Sequence, residues 1–212
     1  GINAYRYLDR RVTTMYRHLI IMLFLAGIQA GCGGLPKLDD RAASNSFRSP
    51  QQTSLGKQLG EDNRHHTDTS GILLLDSGQD AFRYRIALVR AAERAIDLQY
   101  FIWNDDRSGN FMAARLLEAA ERGVRVRLLL DDFHAVGSDA ILPALNAHPN
   151  SEIRAYNPFP KRKGAGRWMA LLADFKRLNR RMHNKSLVVD GAAAIIGGRN
   201  IGDEYFDLRD DM

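Results

Sequence analysis

The chain has 212 residues, a net charge of +5 and a hydrophobic content of 45%. That suffices for one ordinary core, or for one lobe of a larger protein. The single cysteine, Cys32, excludes an internal disulfide framework and a cysteine-based zinc site. No Cys/His spacing suggests a metal, and nothing suggests a cofactor. Residues 1–31 hold four Arg against one Asp, so most of the net charge lies there. The remainder is only weakly basic, which makes a nucleic-acid partner unlikely on charge grounds.

Residues 1–14 read as upstream readthrough, with Met15 as a natural start. Residues 15–32 have the form of an export signal: a short basic start, an apolar run from Leu19 to Ile28, then small residues. That run is about half the roughly 20 residues needed to span a bilayer. Cys32 after Ala30-Gly31 resembles a bacterial lipoprotein site, although Gln29 stands where an apolar residue is usual. Cleavage without lipidation and an uncleaved interfacial helix stay open. The expected location is the bacterial cell envelope, at a membrane, with a lipid anchor through Cys32. Residues 33–70 read as a polar linker, and its His65-His66 pair as solvated rather than metal-binding.

From Gly71 the pattern becomes that of a folded lobe over 71–212. The expected elements are a strand at Ile72–Leu75, a helix at Asp80–Arg94, a strand at Leu98–Trp103 and a helix at Phe111–Glu121 stopped by Gly123. A strand follows at Val124–Leu130, then a short helix at Ala140–Ala147 with Pro143 in its first turn, and a strand at Ser151–Tyr156. Helices alternating with strands predict an α/β layered sandwich with a mostly parallel mixed sheet. Strand ends are where such sheets place chemistry. Asp131 and Asp132 lie at one of them, with His134 a weak candidate just beyond. The two acids either orient active-site cations or bind a polar head group, or they satisfy loop backbone, and the last reading is preferred.

Lys161 to Lys185 holds nine cations against Asp174 alone, interleaved with Trp168, Met169, Leu171, Leu172 and Phe175. A basic amphipathic stretch of this kind suits an anionic membrane surface. The alternative is a solvated helix packed by its apolar face.

The most specific signal comes last. His183 and Lys185 sit two residues apart at the head of the apolar run Leu187-Val188-Val189, read as a buried strand. Residues i and i+2 of a strand share a face. Asp190-Gly191 is a hairpin dipeptide, and turning the chain is Asp190's main expected task. Ala192 to Ile196 is the return strand, delivering Gly197-Gly198-x-Asn200 to a loop that closes back on the pair. A nucleophile candidate, a fixed cation and a carboxamide then converge beside glycine backbone open to close approach. That set suits a phosphate ester.

The ordered set His-x-Lys-x-x-x-x-Asp followed by Gly-Gly-x-Asn, at about 177–204, resembles the phospholipase D superfamily. Ile96-Asp97-Leu98-Gln99-Tyr100-Phe101-Ile102-Trp103 and Arg122 to Asp132 resemble its bacterial cardiolipin synthase branch, especially the third type. The likeness runs from about Gly71 to Phe206. It implies one lobe of the phospholipase D fold and phosphatidyl transfer through a phosphohistidine at His183. It also implies that Lys185 and Asn200 hold the non-bridging oxygens, that Gly198 contributes to substrate binding, and that Asp190 counts among the catalytic motif residues. The implied substrates are phospholipids. The implied partner is a second motif-bearing lobe, or a homodimer copy, whose His protonates the leaving alcohol. Only one motif copy is present in the chain. The family's acid partner for the His falls downstream of Asn200, and the resemblance assigns it to none of Asp203, Glu204, Asp207, Asp210 or Asp211. Alone, the chain is expected to be inactive unless it dimerises. The competing functions are a phospholipase D-type lipid hydrolase or nuclease, and a degenerate lobe that only binds.

Overall fold

A computed structural model describes residues 16–18, 22, 44–64, 66, 69–132, 141–159 and 175–208. The chain divides into two units, residues 1–41 and 42–212, and every element below lies in the second. The expected signal segment with Cys32, the loop with His134 and the basic stretch 160–174 fall outside the described residues, apart from residues 16–18 and 22. Among the described residues no helix is long and apolar enough to cross a membrane.

The sheet has five strands: β1 (Ala95–Tyr100), β2 (Arg125–Asp131), β3 (Ser151–Tyr156), β4 (Lys185–Val189) and β5 (Ala193–Ile196). Their order is β3-β2-β1-β4-β5. The pairs β1/β2 and β2/β3 are parallel, while β1/β4 and β4/β5 are antiparallel. The parallel half follows from helical crossovers and the antiparallel β4/β5 pair from the hairpin. The helices are α1 (Ser54–Asp62), α2 (Gly78–Ala91), α3 (Arg107–Glu121), α4 (Ile141–Ala147) and the single turn α5 (Phe175–Leu178). This is the layered α/β arrangement that the alternation predicts.

Alternation of burial shows where the core sits. Ile96, Leu98 and Tyr100 of β1, Val126, Leu128 and Leu130 of β2, and Leu187 and Val189 of β4 are buried with Ile86 and Val89 of α2 and Met112, Leu116 and Ala119 of α3. The residues between them, such as Asp97, Gln99 and Arg127, are only partly buried. There Arg127 Nε donates to Asp97 Oδ1 at 2.5 Å, and its Nη1 donates to Ser44 O at 2.9 Å. Arg85 links the layers, donating to Tyr100 Oη at 3.1 Å and Ala81 O at 2.7 Å from a buried position.

Several boundaries differ from expectation, each for a local reason. The apolar run Ile72–Leu75 forms no strand: it pairs with none of the five, and Ile72 is 93% exposed. Residues 33–70 hold more than a tether, because Thr53 caps α1 by accepting from Gly56 N at 3.1 Å. α2 starts at Gly78, behind the Ser77 cap that accepts from Asp80 N. α3 starts four residues earlier than its apolar pattern suggests, because Asp106 caps it by accepting from Gly109 N at 2.9 Å. It ends as expected at Gly123, whose φ of +91° suits glycine. β1 begins at Ala95 rather than Leu98 and ends at Tyr100, and β2 is Arg125–Asp131. Val188 is half-buried rather than core. The turn falls at Asp190-Gly191 as predicted, with φ of +53° and +59°, the positive pair of a primed turn; β5 starts at Ala193, one residue later than expected, and pairs it with Val189.

Candidate active site

β4 lies antiparallel to β1, with Lys185 opposite Tyr100. The head of β4 therefore sits at the C-terminal end of β1. Phe101, the first residue past that end, is the floor on which the motif assembles. The His183 and Phe101 ring centroids are 5.0 Å apart at an interplanar angle of 56°. Lys185 Nζ is 5.2 Å from the same Phe101 centroid, within cation–π range. His183 is exposed, whereas Lys185 is only 6% exposed. Its Nζ donates to His183 O at 2.8 Å. The same-face expectation thus holds in substance, with His183 just ahead of the strand.

Burial lowers the pKa of Lys185 from the ordinary lysine value, because desolvation disfavours the ammonium. No carboxylate among the described residues pairs with it. An anion arriving beside it would restore the lost solvation, so the site favours a ligand of negative charge.

The return strand brings the glycines back as predicted. Gly197 N donates to Lys185 O at 3.3 Å, and Ile201 N donates to Ile102 O at 3.2 Å. Asn200, 4% exposed, accepts from Ile102 N through Oδ1 at 3.1 Å and hydrogen-bonds the Tyr205 side chain. Part of the carboxamide is therefore spent on docking the loop to the end of β1. Arg199 fixes the loop from the other side, donating to Leu75 O at 3.0 Å and to Asp76 O. Neither Gly197 nor Gly198 has a positive φ, and a Cβ on either would meet nothing within 4 Å. These glycines leave open space beside Lys185; no turn conformation demands them.

Asp190 is not with this group. It lies at the far end of β4, roughly 16 Å from Lys185 by the rise of a strand. Fully buried, its carboxylate accepts from Glu93 N at 2.9 Å and from Arg94 N and Ala95 N at 2.8 Å each. The structure thus places this member of the motif away from His183 and Lys185. It is a structural anchor that starts β1, and it touches neither His183 nor Lys185. Asp203 is likewise tied elsewhere, accepting from Ser108 N at 2.8 Å and from Arg107 Nε at the start of α3.

The acidic end of β2 follows the preferred reading of backbone satisfaction. Asp131 accepts from Met182 N at 3.0 Å and Arg181 Nη1 at 3.1 Å; Asp132 accepts from Phe159 N at 2.7 Å. Some of the cations counted between 161 and 185 are thus fold contacts. Arg177 donates to Asn157 Oδ1 at 2.6 Å, and Arg181 to Asp131. Sequence reasoning assigned no role to Phe101, which lies inside the predicted Leu98–Trp103 strand; in the structure β1 ends one residue before it. Its signal was an aromatic next to the register position opposite Lys185.

Known proteins resemble this chain over most of its length. Residues 86–212 match the family model described as "Cardiolipin synthase, PLD-like domain". Cardiolipin synthase C of Escherichia coli is 51% identical over 141 residues, covering 66% of this chain and 29% of that protein. An uncharacterized protein of Helicobacter pylori is 40% identical over 177 residues, 84% of this chain and 35% of that protein. Cardiolipin synthase A of Pseudomonas syringae is 33% identical over 138 residues, 65% of this chain and 27% of that protein. The chain thus spans about a third or less of the length of these curated relatives. With the match running over more than half of its length, the chain belongs to the PLD-like domain family of cardiolipin synthases.

Proposed function

We propose that the chain is one lobe of a phosphatidyltransferase that acts on phospholipid phosphodiesters through a phosphohistidine at His183. What supports this reading is the convergence of His183 and Lys185 on Phe101 beside the open Gly197-Gly198 backbone. A phosphodiester's charge repels anionic nucleophiles, whereas a neutral imidazole nitrogen is not repelled. That nitrogen attacks phosphorus, the bond to the leaving alkoxide breaks, and the phosphoryl group rests on the ring. Lys185 neutralises the non-bridging oxygens, whose charge spreads in the transition state. Its desolvation strengthens the interaction, since the charge acts through less water.

The leaving alkoxide needs a proton, and the acceptor alcohol must later lose one. No group around His183 is assigned to that task. A second motif-bearing lobe, or a second copy of the chain, is the proposed source. A lipid alcohol as acceptor gives transphosphatidylation, and water gives hydrolysis. The exposed His183 leaves either able to reach it. The relatives named cardiolipin synthase favour the lipid acceptor and a membrane-associated setting.

The test is to incubate the full-length protein with vesicles of phosphatidylglycerol and analyse the lipids by mass spectrometry. Cardiolipin formed by the unaltered protein and absent with His183→Ala is expected. Phosphatidic acid as the sole product would make it a hydrolase. Turnover unchanged in His183→Ala would end the proposal.

A further inference from the structure

His183 precedes β4, so the strand ladder does not hold it. What holds it comes from the other side. Residues 177–182 cross the C-terminal ends of β2 and β3, and polar groups there grip them. The Asp131 carboxylate is fully buried and accepts from Met182 N and Arg181 Nη1, the two residues immediately before His183. Arg181 lies over the Phe159 ring, 4.8 Å from its centroid. Asn157, at φ +50°, donates from Nδ2 to Arg177 O at 2.6 Å and Arg180 O at 2.8 Å.

We propose that Asp131 is a positioning residue for His183: its carboxylate fixes the leader so that the imidazole is presented over Phe101. A carboxylate that accepts from a backbone amide on one oxygen and from a guanidinium on the other sets the leader's place and its direction. Lys185 needs no such help, because the β1/β4 ladder already places it. The His183 leader and the Lys185 backbone therefore depend on different supports, joined by the Lys185 Nζ to His183 O hydrogen bond, and removing the Asp131 carboxylate should displace the His183 ring while the Lys185 backbone stays in the ladder. The term positioning for a reaction rests on the reading of His183 as nucleophile, but the displacement itself can be measured without any turnover.

The experiment uses the 212-residue chain with labelled histidine and phenylalanine rings, the His183 signal being assigned by its disappearance in His183→Ala. In the unaltered chain a ring-to-ring Overhauser effect between His183 and Phe101 is expected. In Asp131→Asn, which keeps the volume but turns one acceptor into a donor, that effect should fall at least threefold. The Lys185-dependent affinity for inorganic phosphate should change less than twofold. A merely structural role predicts a lower melting temperature with the Overhauser effect intact, and that result overturns the proposal. Arg181→Gln is the second variant, should Asp131→Asn not fold. It leaves the Met182 amide on the carboxylate and should weaken the Overhauser effect at least twofold. An unchanged effect in the variant that folds also overturns the proposal. If the lipid assay fails while Asp131→Asn still abolishes the Overhauser effect, the enzyme reading is rejected and the positioning stands.

Discussion

The two ends of β4 carry the two charged residues of one motif and treat them in opposite ways. At the C-terminal end Asp190 is buried and met by three backbone N–H groups. Charge-assisted hydrogen bonds offset its desolvation. At the N-terminal end Lys185 is almost as buried, but among the described residues it is met by one carbonyl and one aromatic ring. One end is finished by the fold. The other holds a partly compensated charge, which a ligand can complete. Residues of one motif can thus serve separate ends, and burial alone does not distinguish them; the completeness of the hydrogen bonding does.

The largest expected effect is at the finished end. Asp190→Ala leaves three N–H groups without an acceptor and puts Ala at a positive φ, and should cost about 3–4 kcal/mol in urea unfolding. A drop below about 1 kcal/mol would mean that the anchor is not what starts β1. Next comes Gly191→Ala. Its Cβ would lie 2.6 Å from Phe47 O at a φ of +59°, at a cost of about 1–2 kcal/mol. The same measurement reads it.

At the open end the sign reverses. Lys185→Met should leave stability at pH 7 unchanged or raise it by up to about 1 kcal/mol, while phosphate affinity collapses. Burial lowers the lysine's pKa in the folded chain. Between that lowered value and the ordinary one, the unfolded chain binds more protons. Stability of the unaltered chain therefore rises with pH across that window, as the buried ammonium gives up its proton. Lys185→Met should abolish the rise. Unfolding curves across the alkaline range check it, and a slope that survives the substitution would place the titration elsewhere. The smallest stability effect is Gly198→Ala, within about 0.5 kcal/mol because nothing surrounds its Cβ. Its phosphate affinity should still fall if the ligand lies against that backbone. Unchanged affinity would remove Gly198 from the site.

The hairpin was legible from sequence because its determinants are local. A β-branched run, a turn dipeptide and a spacing of two are short-range facts. The Ser151–Tyr156 strand was legible for the same reason. Helix starts at Ser77 and Asp106 were missed, though caps are local too, because the apolar period begins later than the cap. The beginning of β1 was out of reach: its cause, Asp190, lies 95 residues away. The hydrogen bond from Met182 to Asp131 likewise bridges 51 residues. Ile72–Leu75 misled because an apolar run states a wish to be buried but not what it pairs with. Phe101 was visible as an aromatic, but its use depends on β4 lying beside β1.

The central claim is that His183 takes a phosphoryl group while Lys185 holds it. The direct measurement is mass analysis of the chain after reaction with bis(p-nitrophenyl) phosphate. Its nitrophenolate leaves without a proton, so no second lobe is needed for the first step. The account predicts one acid-labile nitrophenyl phosphoryl adduct per chain, located on His183, with a matching burst of nitrophenolate, and neither in His183→Ala. An adduct on another residue, or one that persists in His183→Ala, would contradict it.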